Sequence, residues 1–126
     1  MLQVKRSGPV ATRNRVLSAI LTCLPGAWIQ PSDRDLVALY RMRYRMAMEE
    51  NKYDAAMIFL NKILEVEPLN LEAKLDKGEL FHRHLQEYDR AIEQYTKVIR
   101  LTSSDESSEY QKRARGSMSE LMEMFS

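Results

Sequence analysis

The feature that most constrains this chain is a helical pattern that occurs twice, 35 residues apart, in residues 51–68 and 86–103. In each copy four residues follow one another at steps of three, four and three, which places them along one side of an α-helix. A small residue in the middle of that side lets a neighbouring helix approach closely, so each copy requires a helical partner. The residues are Tyr53, Ala56, Leu60 and Ile63 in the first copy, and Tyr88, Ala91, Tyr95 and Val98 in the second.

Helix start and stop signals place a partner helix before each copy. Ser32 followed by Asp35 is a capping pattern that predicts a helix over about residues 33–49. Pro68 ends one helix and Asn70 caps the next, which continues as far as Leu85. Across residues 33–126 the alternation typical of strands is absent and β-branched residues are sparse, so we predict an all-α fold of antiparallel helical hairpins.

A last helix is predicted near the C-terminus. Residues 103–109 are rich in serine and acids, which suits a turn followed by a helix N-terminus. The helix that follows carries an apolar stripe at Tyr110, Ala114, Met118, Leu121, Met122 and Phe125. We expect this stripe to cap the end of the repeated region, or alternatively to join two copies of the chain.

The period, the helix-turn-helix unit and the small residue on the second helix resemble the tetratricopeptide repeat, a unit of about 34 residues. The resemblance implies two repeats within residues 32–105, at about 37–70 and 71–105, closed by a capping helix at 106–126 and stacked as a short right-handed α-solenoid. Departures from the family pattern are Tyr44 at a Gly position, Lys74 at a Trp position, Ser103 at a Pro position, and one additional residue in the loop before Tyr88. The packing residues that carry the resemblance are Tyr40, Tyr53, Ala56, Leu60, Pro68, Gly78, Phe81, Tyr88, Ala91 and Tyr95.

The resemblance implies a non-catalytic adaptor or scaffold, because in that family the first helix of each unit lines a groove that holds a peptide or helix of another protein. Arg41 and Arg45 lie one turn apart and would present two guanidinium groups to an acidic segment of such a partner. The alternative interpretation of these arginines is a solvated helix face. The groove positions that the resemblance assigns are Arg41, Arg45, Met48, Leu75, Glu79 and His82.

A subclass of the family clamps the C-terminal carboxylate of heat-shock chaperones with basic and Asn side chains, and this co-chaperone role is one alternative function. A self-associating structural protein is the other. The clamp positions here read Arg41, Arg45, Asp76, Ser107 and Gln111, of which only the first matches. Asp76 would repel a carboxylate. A register shifted by one or two residues would instead bring positive charge from Lys112, Arg113 or Arg115.

Residues 1–31 form a separate basic segment, since Lys5, Arg6, Arg13 and Arg15 occur there without any acid. A nine-residue apolar run, Val16–Leu24, follows the arginines and is too short to cross a bilayer, which takes about 20 residues. Three interpretations stay open: a secretory signal, a mitochondrial transit peptide, or a tail or extra helix beside the first repeat. We expect a cytoplasmic protein, with a mitochondrial or secretory location as the alternative if residues 1–27 are a targeting peptide.

Charge and composition limit the chemistry. Of 126 residues, the 94 after Ser32 carry 15 basic and 18 acidic side chains, a net charge of −3, which argues against a nucleic-acid partner. Cys23 is the only cysteine, and His82 and His84 point to different sides of a helix, so we expect no metal and no cofactor. No phosphate loop or nucleophile motif occurs, so we expect no enzyme activity. The predicted molecule is a monomer or weak homodimer.

Overall fold

In a computed structural model, which describes residues 32–126, the chain folds into five α-helices without a strand in that range. The features predicted for residues 1–31 lie outside the described residues. Because residues 32–126 form helices and no strand, the predicted all-α class is confirmed. No helix within 32–126 combines the length and the apolar character that a membrane crossing requires. The helices are α1 (Asp33–Glu49), α2 (Tyr53–Val66), α3 (Leu71–Arg83), α4 (Tyr88–Leu101) and α5 (Glu109–Glu123).

Three of the helices begin at capping side chains. The Ser32 hydroxyl accepts a hydrogen bond from the Asp35 amide at 3.1 Å, and the Asn70 side chain accepts one from the Ala73 amide at 2.8 Å. Ser108 caps α5 in the same way. Each cap satisfies an amide that the helix itself leaves without a partner. These starts coincide with the ones that the sequence predicts.

Both copies of the repeated pattern open with a residue of positive φ, two positions before the helix begins. Asn51 and Gln86 have positive φ angles of 58° and 52°, in the left-handed region. Three residues, 50–52, separate α1 from α2, whereas four residues, 84–87, separate α3 from α4. The longer second loop that the sequence predicts is therefore confirmed.

The interior consists of two apolar clusters that share α3. Ala73 and Leu80 belong to the α1/α2/α3 cluster, whereas Leu75 and Phe81 belong to the α3/α4/α5 cluster. Leu85, half-buried in the loop after α3, packs against both. The first cluster contains Ala47, Ala56, Leu60, Ile63, Ala73 and Leu80. The second contains Leu75, Phe81, Ala91, Tyr95, Val98, Ala114 and Leu121.

The α3 backbone packs directly on a tyrosine ring of α4. A Cβ atom placed on Gly78 would lie 2.8 Å from Cε1 of Tyr95 and 3.2 Å from Cβ of Gln94. The Tyr95 side chain is completely buried, so its ring is held by the surrounding core. Only glycine therefore fits at Gly78 without a shift of the two helices.

A buried amide joins α5 to the end of α4. Nε2 of Gln111 donates to the carbonyl oxygen of Thr102 at 2.7 Å, and the Thr102 hydroxyl donates to the carbonyl oxygen of Val98 at 2.8 Å. Both carbonyl oxygens also accept a backbone hydrogen bond, from the Asp105 and Thr102 amides respectively, so the side-chain bonds reinforce the end of α4. Ala114, about one turn after Gln111, and Leu121, about two turns further on, are also fully buried, so α5 is packed into the fold along its length.

Candidate protein-interaction surface

Charged side chains join α1, α3 and α5 along one side of the molecule. Arg41 on α1 forms an ion pair with Asp76 on α3. Nη2 of Arg113 on α5 lies 3.6 Å from Oδ1 of Asp76 and 3.3 Å from both carboxylate oxygens of Glu79. Asp76 thus lies between two arginines that come from helices on either side of it. We call the surface formed by Arg41, Tyr44, Asp76, Glu79 and Arg113, together with Arg45 and Met48 on the same side of α1, the charged face.

Arg41 is already matched within the protein. It is 9% exposed, and its guanidinium lies 5.2 Å from the ring centre of Tyr44. Within residues 32–126 its Nη2 atom forms no hydrogen bond, and Oε1 of Glu72 lies 3.7 Å away. A ligand carboxylate at this site would have to displace Asp76, and an unpaired buried charge is costly.

Tyr44 stands where the repeat family has glycine, and here it fills space beside the α1/α2/α3 cluster. Burial, with a smaller contribution from the Asp76 carboxylate, raises the pKa of Tyr44 to about 12. The hydroxyl therefore stays protonated at neutral pH and remains a neutral hydrogen-bonding group. Its ring adds apolar surface among the charged side chains of this face.

The other predicted groove residues divide into accessible and buried ones. Arg45 is exposed, while Met48 and Glu79 are half-buried on the same side of α1 and α3. Leu75 is fully buried in the α3/α4/α5 cluster. His82 is also buried, with its Nδ1 atom 3.0 Å from the Tyr95 hydroxyl. Arg45, Met48 and Glu79 are thus accessible at the surface, whereas Leu75 and His82 are buried.

Four of the five positions compared with the chaperone-tail clamp are already bonded within the protein, since the Ser107 hydroxyl also donates to Oδ1 of Asp105 at 2.6 Å. Arg41 and Asp76 pair with each other, and the Gln111 amide is buried against Thr102. Arg113, which a shifted register would bring into that comparison, lies on the charged face. The five positions are therefore not assembled as a set of free donors.

The structure also exposes a group of residues that the sequence analysis did not single out. Leu69 is 70% exposed and Leu101 is 46% exposed, and both line a shallow depression beside α3 and α4. Lys74, Lys97 and Arg100 complete its lining. A signal was present in the sequence, since Lys74 replaces the Trp of the repeat pattern and residues 97, 100 and 101 share a helix side. We call these five residues the basic pocket.

Comparison with known proteins identifies no relative: the chain matches no family model, no curated protein and no solved structure.

Proposed function

We propose that this chain is a non-catalytic protein-interaction module that holds a peptide or helix of a partner on its charged face. In this proposal α1 to α4 are two tetratricopeptide-type units, at about residues 37–70 and 71–105, in a short right-handed stack that α5 closes. The observation that supports it is the ion-pair chain from Arg41 through Asp76 to Arg113, which joins one helix of each pair and α5 into a single surface. A surface built from three helices offers one ligand several contacts at once.

The accessible residues suggest how such a partner is held. Arg45 is an exposed guanidinium one turn beyond Arg41, suited to a carboxylate of the partner. Met48 adds an adaptable apolar contact. Arg41, Asp76 and Arg113 neutralise one another and hold the helices in register, so they act in positioning and not in contact with the ligand.

A comparison of two α1 variants tests the proposal. We expect specific proteins from native cell extract to copurify with the intact chain and to be lost with the double substitution Arg45→Glu, Met48→Glu. Arg43→Glu is the matched control, because Arg43 is exposed on the same helix and two residues from Arg45, which places it on the opposite side. Far-UV circular dichroism and thermal melting establish first that each variant is folded.

Two outcomes would contradict the proposal. Retention of the same partners by the Arg45 and Met48 variant would show that the charged face does not contact them. Equal loss with the Arg43 control would show that only the charge of α1 matters, and that the arginines are a solvated face.

A further inference from the structure

The basic pocket lies on the other side of α3 from the charged face. Lys74 lies two positions before Asp76, which on a helix of 3.6 residues per turn places their side chains on opposite sides. Lys97, Arg100 and Leu101 approach from α4, and Leu69 comes from the segment between α2 and α3. Two leucines and three cations thus surround one depression of about 270 Å³.

The cations of this region lack strong acidic partners among the described residues. In residues 32–126 neither Lys74 nor Arg100 forms an ion pair, and Lys97 has only an exposed contact with Glu93 at 3.8 Å. Exposed pairs of that kind contribute little. Burial first, and then the charge of Lys97, lower the pKa of Lys74. A carboxylate brought into the pocket would relieve this repulsion between like charges.

Lys77, about one turn after Lys74 on α3, is affected by the same concentration of positive charge. Burial and then the charges of Lys97 and Lys74 lower the pKa of Lys77, while Glu93 acts in the opposite direction. Three lysines from two helices therefore share a surface on which one acid is close. The positive charges around the pocket are therefore only partly balanced by nearby acids, although residues 33–126 as a whole carry a net negative charge.

The form of the pocket favours a protein segment as its occupant. The 94 residues after Ser32 carry a net charge of −3, so an extended polyanion such as nucleic acid would meet repulsion beyond the pocket. The exposed leucines beside the cations match an amphipathic helix that carries acids beside an apolar side chain. Charge complementarity of this kind raises the association rate and fixes orientation.

We propose that the basic pocket is a second docking surface, which binds an acidic amphipathic segment of a partner protein. An apolar side chain of that segment lies between Leu69 and Leu101, and its carboxylates pair with Lys74, Lys97 and Arg100. The pocket and the charged face use different sides of α3, so the inference does not depend on the function proposed for the charged face. With both surfaces occupied, the chain would bridge two partners.

The test uses the full chain and a synthetic amphipathic helix of leucine and glutamate, followed by amide chemical shifts. We expect shift changes at Leu69, Lys74, Lys97, Arg100 and Leu101, and weaker binding at higher salt. The double substitution Lys97→Glu, Arg100→Glu should raise the dissociation constant by about tenfold or more, which corresponds to the loss of charge pairs. The matched control is Arg34→Glu, Arg43→Glu, which makes the same charge change at exposed positions of α1 and should leave binding unchanged.

Several results would overturn the assignment. Undiminished binding by the Lys97 and Arg100 variant, or shift changes confined to the charged face, would remove the pocket as the site. Equal binding of a peptide made of leucine and lysine would show that apolar contact alone, and not charge pairing, holds the peptide. Binding to phosphatidylserine vesicles without binding to the peptide would identify a membrane surface as the occupant. Concentration-dependent sedimentation that the double substitution abolishes would identify a second copy of the chain.

Discussion

At the scale of single residues, the spacing of α3 and α4 depends on the absence of one methyl group, at Gly78. We expect Gly78→Ala to lower the free energy of unfolding by about 1 kcal/mol, because overlap with the buried Tyr95 ring costs about 1–3 kcal/mol while the gain in helix propensity returns about 1 kcal/mol. Urea unfolding measures the change. Gly116→Ala is the control, since nothing lies within 4 Å of a Cβ there, and it should raise stability by about 1 kcal/mol. Stabilisation by both substitutions would show that the Tyr95 contact is loose.

A second residue, His82, makes stability depend on pH. Burial, and then the charge of Arg83, lower the pKa of His82, while the carboxylates of Glu120 and Glu79 act in the opposite direction. The folded protein thus resists protonation of His82, so the unfolded chain binds more protons below about pH 6.5. The contribution of His82 to the free energy of unfolding is complete above that pH and is lost as the pH falls through the lowered folded-state pKa.

Urea unfolding at about pH 7 and about pH 5 checks this expectation for the intact chain and for His82→Gln, which cannot titrate. The variant should lose part of the decrease in stability at the lower pH. His84→Gln changes an exposed histidine and should keep the decrease. An unchanged pH dependence in the His82 variant would contradict the account and assign the decrease to other groups.

At the scale of elements, the Arg41 and Asp76 pair joins α1 to α3. Asp76→Asn leaves the Arg41 guanidinium buried without its carboxylate, and we expect a loss of about 3 kcal/mol in the free energy of unfolding. The double substitution Arg41→Met, Asp76→Leu removes both charges and should recover stability to within about 1 kcal/mol of the intact chain. Lys112→Gln, which breaks an exposed pair, should cost less than about 1 kcal/mol. Additive losses in the double variant would show that the pair is not coupled.

The elements also show which parts of the fold the sequence could predict. Helix starts were predictable because Ser32 and Asn70 act on amides three residues away, a local interaction. The burial of Leu75 and His82 was not, because the resemblance places both on a ligand surface whereas the structure packs them against α4 and α5. Their exposure depends on which helices follow, and that information is not carried by their own periodicity.

The candidate site shows the same division between local and distant information. The one-turn spacing of Arg41 and Arg45 was evident in the sequence, but Arg41 forms an ion pair with the carboxylate of Asp76, 35 residues away. Arg113 reaches the charged face because α5 folds back along α3. The basic pocket likewise forms only when Lys74 and Lys97 are brought together by the packing of α3 and α4.

At the scale of the whole molecule, α5 completes the α3/α4/α5 cluster and covers it from solvent. Leu121 is fully buried there, whereas Met122 is 48% exposed. We expect Leu121→Ala to lower the free energy of unfolding by about 3 kcal/mol and Met122→Ala to change it by less than about 0.5 kcal/mol. Urea unfolding at two protein concentrations measures both. A loss in the Met122 variant that appears only at the higher concentration would instead indicate that this end of the molecule joins two copies.

The loop after α3 has a consequence for how the chain tolerates redesign. An extra residue in a repeat is usually regarded as slack, and a consensus design would delete it to restore a uniform period. Here the longer loop carries Leu85, which packs against both apolar clusters, and its amide and that of His84 both donate to the carbonyl oxygen of Leu80. Shortening the loop would therefore displace Leu85 and disturb its contacts with the α1/α2/α3 and α3/α4/α5 clusters. The residue that departs from the uniform period is therefore in the loop through which the two apolar clusters contact the same leucine.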